Sequence, residues 1–406
     1  MSMDFDVVIA GGGLNGPALG LALADAGLSV AVIDSAPARA RAGDNFDGRA
    51  YALALSSVRL LGALGLWPEL EPDAQPIRRV LTHQSAGEGA GPFGLHFDSA
   101  EMEEPSFGHM LEDRFLYRAL LEAMGQRLTH IPATSVIAQT PGPAAIEVAL
   151  SDGRTLRARL LVGADGRASS VAQRAGIGRT GHDYGQTALV AAIAQERPHN
   201  GTAWQVFLPS GPIGVLPLKD GRASVVWSAK TPLAEAIASL SDSDFIAALT
   251  PHLEAATGRI ELAGPRFSYP LSLTLANDYI AERIALIGDA AHGVHPVAGQ
   301  GLNLGLRDVA SLAECVIDAH RRGEDIGMAP TLARYQGWRR FDSTSLAMGM
   351  DAVNTLFSND NPALRLLREA GMGAVSAIGP LRRRFMRQAA GLTLDPMPRL
   401  LTGEKL

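Results

Sequence analysis

Cysteine is almost missing from this 406-residue chain, where Cys315 stands alone. A single thiol excludes an internal disulfide framework and leaves no cysteine cluster for a metal, which fits a reducing cytoplasm. Cys315 itself reads as a small buried hydrophobe on a helix. An excess of positive charge is missing too. The formal net charge is -6, and without a basic face or stripe nothing marks a nucleic-acid partner. No metal site is expected. Long uninterrupted hydrophobic runs are also absent. The apolar stretch from Val7 to Ala24 follows an acidic start and is broken by Gly11, Gly12, Gly13, Gly16 and Pro17. It therefore reads as strand, turn and helix, not as a signal peptide or a membrane span. Internal repeats and low-complexity segments are not found.

What is present suits an enzyme of two or three domains with a large core. Apolar residues make up 47%, charged residues 19%, and the mean hydropathy is +0.08. That balance is in keeping with an apolar ligand or surface. The first 34 residues give a β-rich run (Phe5 to Ala10), a glycine turn, a helical stretch (Pro17 to Ala26) closed by Gly27, and a second β run (Ser29 to Ile33) ending in Asp34. This is a βαβ unit. Strand-to-turn-to-helix transitions recur at Leu160 to Arg174 and at Arg283 to Arg307. Between them, Ala203 to Leu208, Gly214 to Leu218 and Ala223 to Ser228 are β-like, and Asp242 to Leu253 is helical. Gln84 to Pro92 is Gly-rich and reads as a flexible excursion or an edge hairpin. The tail from about residue 345 is helical, and residues 361 to 406 carry eight basic against three acidic side chains.

Three segments carry chemistry. In Gly11-Gly12-Gly13-Leu14-Asn15-Gly16, the G-x-G-x-x-G spacing follows a strand and opens a helix. Its glycines serve a tight turn, close approach of backbone to a pyrophosphate, and helix packing on the strand. The helix N-terminus offers N–H groups and a positive dipole end to phosphates. Asp34 would accept hydrogen bonds from ribose hydroxyls. This motif by itself does not separate NAD from FAD. The second segment, Leu160 to Gly166 with Ser169, Ser170 and Arg174, delivers an Asp165-Gly166 turn at the carboxyl end of a buried strand, where open α/β sheets bind ligands. An Asp-Gly pair is also a common plain turn.

The third segment is Arg283 to His292, then Pro296, Gly299-Gln300-Gly301-Leu302-Asn303 and Gly305-Leu306-Arg307-Asp308. Asp289, after Gly288, is expected at the end of a buried strand, where a carboxylate needs partners that ribityl or ribose hydroxyls would supply. Gly299 and Gly301 would let backbone approach a planar ring, with a helix dipole behind them. That dipole would suit the negative charge of a reduced flavin. His292 and His295 flank this loop and titrate near neutrality, although such histidines are more often structural.

These three segments, in this order, resemble the FAD-binding fingerprints of the aromatic hydroxylase flavoproteins. Further stretches narrow the resemblance: Asp47-Gly48-Arg49-Ala50 with Leu64-Gly65-Leu66-Trp67, Gly211 to Leu218, Tyr269-Pro270-Leu271, and His295 to Asp308. Together they look like the ubiquinone-biosynthesis hydroxylases of the UbiH, UbiF, UbiI and UbiL type, over nearly the whole chain. The resemblance implies that NAD(P)H reduces the flavin and that O2 then forms a C4a-hydroperoxide, which hydroxylates a phenolic ring. The flavin supplies that chemistry while the protein orients the ring and excludes water.

By the same resemblance Gly11, Gly13, Leu14, Gly16, Asp34, Arg49, Arg114, Asp165, Gly288 and Asp289 would hold FAD. Pro296, Gly299, Gln300, Gly301, Leu302 and Asn303 would line the isoalloxazine, with Pro296, Gly299 and Gln300 at the peroxide. Arg49 could instead be a plain surface arginine. No side-chain base is placed.

The fold class implied is α/β, with an α+β second domain. A discontinuous Rossmann-like FAD-binding domain (1–75, 103–178, 277–345) is followed by a mostly β substrate domain (76–102, 179–276) and a helical C-terminal region (346–406). The implied partners are a polyprenyl-phenol and O2. Peripheral contact with the cytoplasmic membrane through Leu381-Arg382-Arg383-Arg384-Phe385-Met386-Arg387 is a further expectation, as is a complex with other ubiquinone-biosynthesis proteins. A solvated face would explain the same basic stretch. A small soluble aromatic substrate, held by an arginine clamp, and a non-catalytic flavin-binding subunit are the alternatives.

Overall fold

The computed structural model describes residues 3–38, 43, 46–83, 94–208, 210–295, 299–357 and 371–406. Gln84 to Pro92 and Pro296 lie outside them. Strand β1 (Phe5–Ala10) buries Val7, Val8 and Ile9 completely, the two-sided burial that a parallel strand under helices requires. A glycine turn leads into α1 (Asn15–Asp25), whose Gly16 to Leu23 are all buried, and then β2 (Val30–Ile33). Strand β3 (Ala50–Ala54) pairs antiparallel with β4 (Gly108–Glu112), which runs into α2 (Asp113–Arg127). Strand β5 (Thr155–Gly163) returns parallel to β1, with Val8 opposite Leu161 and Ala10 opposite Gly163. The short helix α3 (Ser170–Arg174) follows.

The chain then leaves for a second sheet. Strand β6 (Arg179–Gln195) is its long central member, joined by β7 (Thr202–Leu208), β8 (Gly211–Pro217) and β9 (Arg222–Lys230). Helix α4 (Thr231–Ala238) precedes α5 (Asp242–Thr257), where the Ser241 hydroxyl accepts from the Asp244 N–H. Both lie against one face of the sheet through Ile237, Phe245, Leu249 and Leu253. Strand β10 (Phe267–Ala276) pairs with β6 on the side away from β9. The first sheet is then resumed by β11 (Ile284–Leu286), parallel to β5. Among the described residues the first sheet has eight strands, the second nine, and β3 and β4 belong to a third of three strands.

After β11 come β12 (His292–Gly293) and α6 (Gln300–Arg321), which packs on α1. Helix α7 (Ala329–Phe357) is continuous over 29 residues. It gives Tyr335 to the first core, Ala347 and Met350 to a cluster with Leu273 and Leu304, and Val353 and Leu356 to Phe207 of the second sheet. The boundary expected at 345 and 346 therefore falls inside one helix. In α8 (Gly379–Ala389), Met386 is fully buried among Ile77, Phe107, Met110, Ala203 and Leu218.

Candidate active site

The glycine turn after β1 divides its labour by position. At Gly11, φ is +118°, and a Cβ would stand 2.2 Å from the Ala164 oxygen. At Gly16 it would stand 2.0 Å from the Gly11 oxygen, and at Gly12 2.3 Å from Asp34 Oδ2. These three are required by the protein's own packing. Gly13 has nothing within 4 Å, so its face is open to a ligand. Leu14 is buried at the N-cap of α1, and no side chain caps that helix. Its first N–H groups are thus left for an anion. Asp34 is held in place, its Oδ1 accepting from the Ala36 N–H at 3.0 Å.

Asn15 draws the first and third segments together. A Cβ at Gly288 would meet its Nδ2 at 2.4 Å, and one at Gly305 at 2.2 Å, while Asn15 Oδ1 is buried without a hydrogen-bond partner among the described residues. Gly299 (φ +62°) turns against Ala52, and Gly301, like Gly13, faces open space. Gln300 is buried at the start of α6, whose N-cap Gly299 provides no side-chain cap. Two uncapped helix N-termini, two open glycine faces and an orphaned acceptor suit a ligand bearing phosphates and hydroxyls, as FAD does.

Several expected contacts turn out to stand behind this surface. The Asp165 carboxylate accepts from Ser169 Oγ (2.5 Å), Ser170 N (2.8 Å), Ser170 Oγ (3.1 Å) and Val171 N (3.1 Å). Its lone pairs are used in starting α3, so the segment presents backbone, not a free carboxylate, to a ligand. Asn303 is likewise saturated: it donates to Ala52 O and Gly299 O and accepts from Ala54 N and Ser57 Oγ. It fixes the Gly299 turn to β3. Leu302 packs half-buried on the first core.

Asp289 differs from its expectation in the opposite sense. Gly288, at φ +61°, turns the chain out of the buried strand. The Asp289 side chain is consequently 43% exposed and paired with Arg167 Nε at 3.2 Å. Arg167 also donates to Val294 O, and Arg179 donates to Asp289 O (2.9 Å) and Ala290 O (3.0 Å). Sequence reasoning missed both arginines. Arg167 directly follows the Asp-Gly turn, which was a usable signal; Arg179 belongs to no motif.

Under this loop lies a buried ionic hub. Asp308 Oδ2 accepts from Gly288 N (2.9 Å) and pairs with His292 Nε2 (2.6 Å), while Oδ1 accepts from Arg339 Nε (2.7 Å). Burial would raise the Asp308 pKa, but His292 and Arg339 outweigh it and hold the carboxyl below its ordinary value. His292 is thus a structural histidine beneath Gly288. His295 is buried beside Gln186 (Nε2 to Oε1, 3.3 Å), and burial, aided by the Arg167 charge, lowers its pKa to about 4. It is neutral at physiological pH.

Arg49 and Arg114 meet at one end of the β3–β4 pair, where the Asp113 N–H donates to Arg49 O. The Arg49 guanidinium pairs with Asp47, and Arg114 Nε donates to Glu112 Oε2 at 2.7 Å.

The floor of the cleft is the face of the second sheet opposite α4 and α5. Gln205, Gly214, Val226, Val190 and Phe267 stand directly opposite one another on β7, β8, β9, β6 and β10. All five are partly exposed, whereas the neighbouring Pro212, Ser228, Ala188, Ser224 and Ala192 are buried. The row is therefore a trough. Phe207 under α7 closes one flank. Leu216, packed near Phe107, Met110 and Ala52, closes the other, which brings the trough beside the Gly299 turn. None of the five side chains in the row is charged.

Residues 4–328 match the FAD binding domain family, and residues 268–404 match the squalene epoxidase family. The ubiquinone hydroxylase UbiL of Rhodospirillum rubrum is 44% identical over 99% of this chain and 93% of its own length. The 3-demethoxyubiquinol 3-hydroxylase of Escherichia coli is 37% identical over 95% of this chain and 98% of its own. Among solved structures, p-nitrophenol 4-monooxygenase PnpA from Pseudomonas putida shares the fold, with a TM-score of 0.80 at 20% identity, covering 97% of this chain and 99% of that one. By these matches the chain belongs to the FAD-dependent monooxygenases of ubiquinone biosynthesis.

Proposed function

We propose that the protein hydroxylates the aromatic ring of a polyprenyl-phenol, using NAD(P)H and O2. The observation that carries this reading is the trough. Five partly exposed positions cross the sheet in one row, and only Gln205 among them is polar. A small aromatic acid would call for a cationic clamp on that floor, whereas an isoprenoid tail gains by covering apolar surface. The match of the C-terminal third to a family named for squalene, itself an isoprenoid, points the same way.

Bound FAD would supply the oxygen chemistry. Around it, the uncapped N-termini of α1 and α6 favour its negative charge, Gly13 and Gly301 admit close backbone approach, and Asp289 with Asn15 offers acceptors for its hydroxyls. The trough would hold the tail and exclude water from the ring. Delivery of so apolar a substrate fits peripheral membrane contact through α8. Phe385 in α8 and Ile378 at its N-cap are each 50% exposed, near Arg383 and Arg384, although no helix among the described residues is long and apolar enough to cross a membrane.

The test is expression in strains that each lack one ring hydroxylase of ubiquinone synthesis. One accumulated prenylated intermediate should disappear as quinone returns. If no strain recovers, the polyprenyl-phenol reading is wrong.

A further inference from the structure

Where the first domain meets the second sheet, one carboxylate holds an arginine from each. Glu112, the last residue of β4, has a side chain only 4% exposed. Its Oε2 accepts from Arg114 Nε at 2.7 Å and its Oε1 from Arg222 Nη2 at 2.8 Å. Arg114 is the second residue of α2, and its two Nη groups make no hydrogen bond to the described residues. Arg222 opens β9, four residues before Val226 of the trough. Each arginine is also seated on a ring, Arg222 at 5.2 Å from the Phe46 centroid and Arg114 at 4.5 Å from that of Phe115.

Asp220 Oδ2 also lies 3.6 Å from Arg222 Nη2, so Arg222 is shared between two carboxylates, and the cation left with unused donors is Arg114. A carboxylate this buried needs both partners. Removing one leaves an unbalanced charge that reorganises the other. Arg222 is tied to Arg114 through Glu112, and its stacking on Phe46 is a separate contact.

We infer that Glu112 is a positioning residue that aims Arg114 at the anionic part of FAD, and that Arg222 anchors it from the substrate sheet. Flavin affinity and the stance of that sheet are then linked through one side chain. The inference rests on the placement of Arg114 in the cofactor site and not on the identity of the substrate.

The experiment measures the FAD dissociation constant of the full-length apo-protein by quenching of flavin fluorescence. Arg222→Gln should weaken FAD binding about tenfold, the usual size of a lost charge-assisted hydrogen bond. In a Glu112→Gln background the same change should add little, because the link is already cut. A merely structural role for Arg222 would give additive effects in the two backgrounds, and additivity would overturn the proposal. Arg222→Lys, which keeps the charge but not the forked geometry, should weaken binding about threefold and reports on the same link if glutamine is not tolerated. Arg114→Gln separates the two ways of failing. If it leaves the dissociation constant unchanged, the placement of Arg114 falls and the inference with it. If it weakens binding while Arg222→Gln does not, the coupling alone falls.

Discussion

Asp165 and Asp289 carry the same side chain at the ends of parallel strands, yet their surroundings give them different work. Asp165 is saturated by the first turn of α3, so Asp165→Ala should cost about 1–2 kcal/mol of stability, as loss of a helix cap does. Its flavin content should fall only in step with the folded fraction. Asp289 is 43% exposed in the cleft with Arg167 as its partner, and such pairs contribute little to folding. Asp289→Ala should therefore leave the melting temperature nearly unchanged while the purified protein loses its yellow absorbance. Full FAD occupancy in that variant would refute the placement. The sequence made both aspartates visible because each follows an apolar strand and adjoins a glycine. It did not distinguish them, since the difference lies in who donates: two serines four and five residues on in one case, an arginine from another segment in the other. Arg179 and Glu112 were illegible for the same reason, whereas Arg167 stands beside the Asp-Gly turn that could have pointed to it.

Among the elements, the strand-turn-helix segments were readable because their periodicity and glycines are local properties. The helix expected from Asp242 to Leu253 runs on to Thr257, behind the Ser241 cap. The trough could not be read, because it exists only once five strands are in register. Gly214 stands at its middle, and a Cβ there would make only ordinary contacts, 3.6 Å to Gln205 Oε1 and 3.9 Å to Val226 O. A larger side chain would thus project into the trough without straining the backbone. Gly214→Phe should keep FAD and keep NAD(P)H oxidation with a short-chain alkylphenol. Its KM for a long-tailed prenylphenol should rise at least about tenfold. Equal loss with both substrates would remove the trough from the argument.

At the scale of the whole molecule, the lipid contact proposed above would be made through the C-terminal end. Ile378, at the N-cap of α8, and Phe385, within it, are both half exposed, and Arg382 is already paired with Glu101, while Arg383 and Arg384 are exposed. Reversal of both, Arg383→Glu with Arg384→Glu, should lower co-sedimentation with phosphatidylglycerol vesicles more than about tenfold, since each basic residue near an anionic surface contributes about 1 kcal/mol. Binding to phosphatidylcholine vesicles should barely change. Undiminished binding to the anionic vesicles would rule this surface out. At this scale the sequence conveyed the order of the pieces but not how they are joined, because α7 crosses the expected boundary and serves both sheets. A similar junction occurs at β12, which pairs antiparallel with β10, Gly293 opposite Thr274 and His292 opposite Leu275. The loop proposed to contact the flavin is in this way a strand of the second sheet. Such a chain is not modular. Exchanging residues 179–276 for those of a relative with another substrate preference would also replace half of that ladder, so new specificity is more readily gained by changing side chains within the trough than by swapping domains.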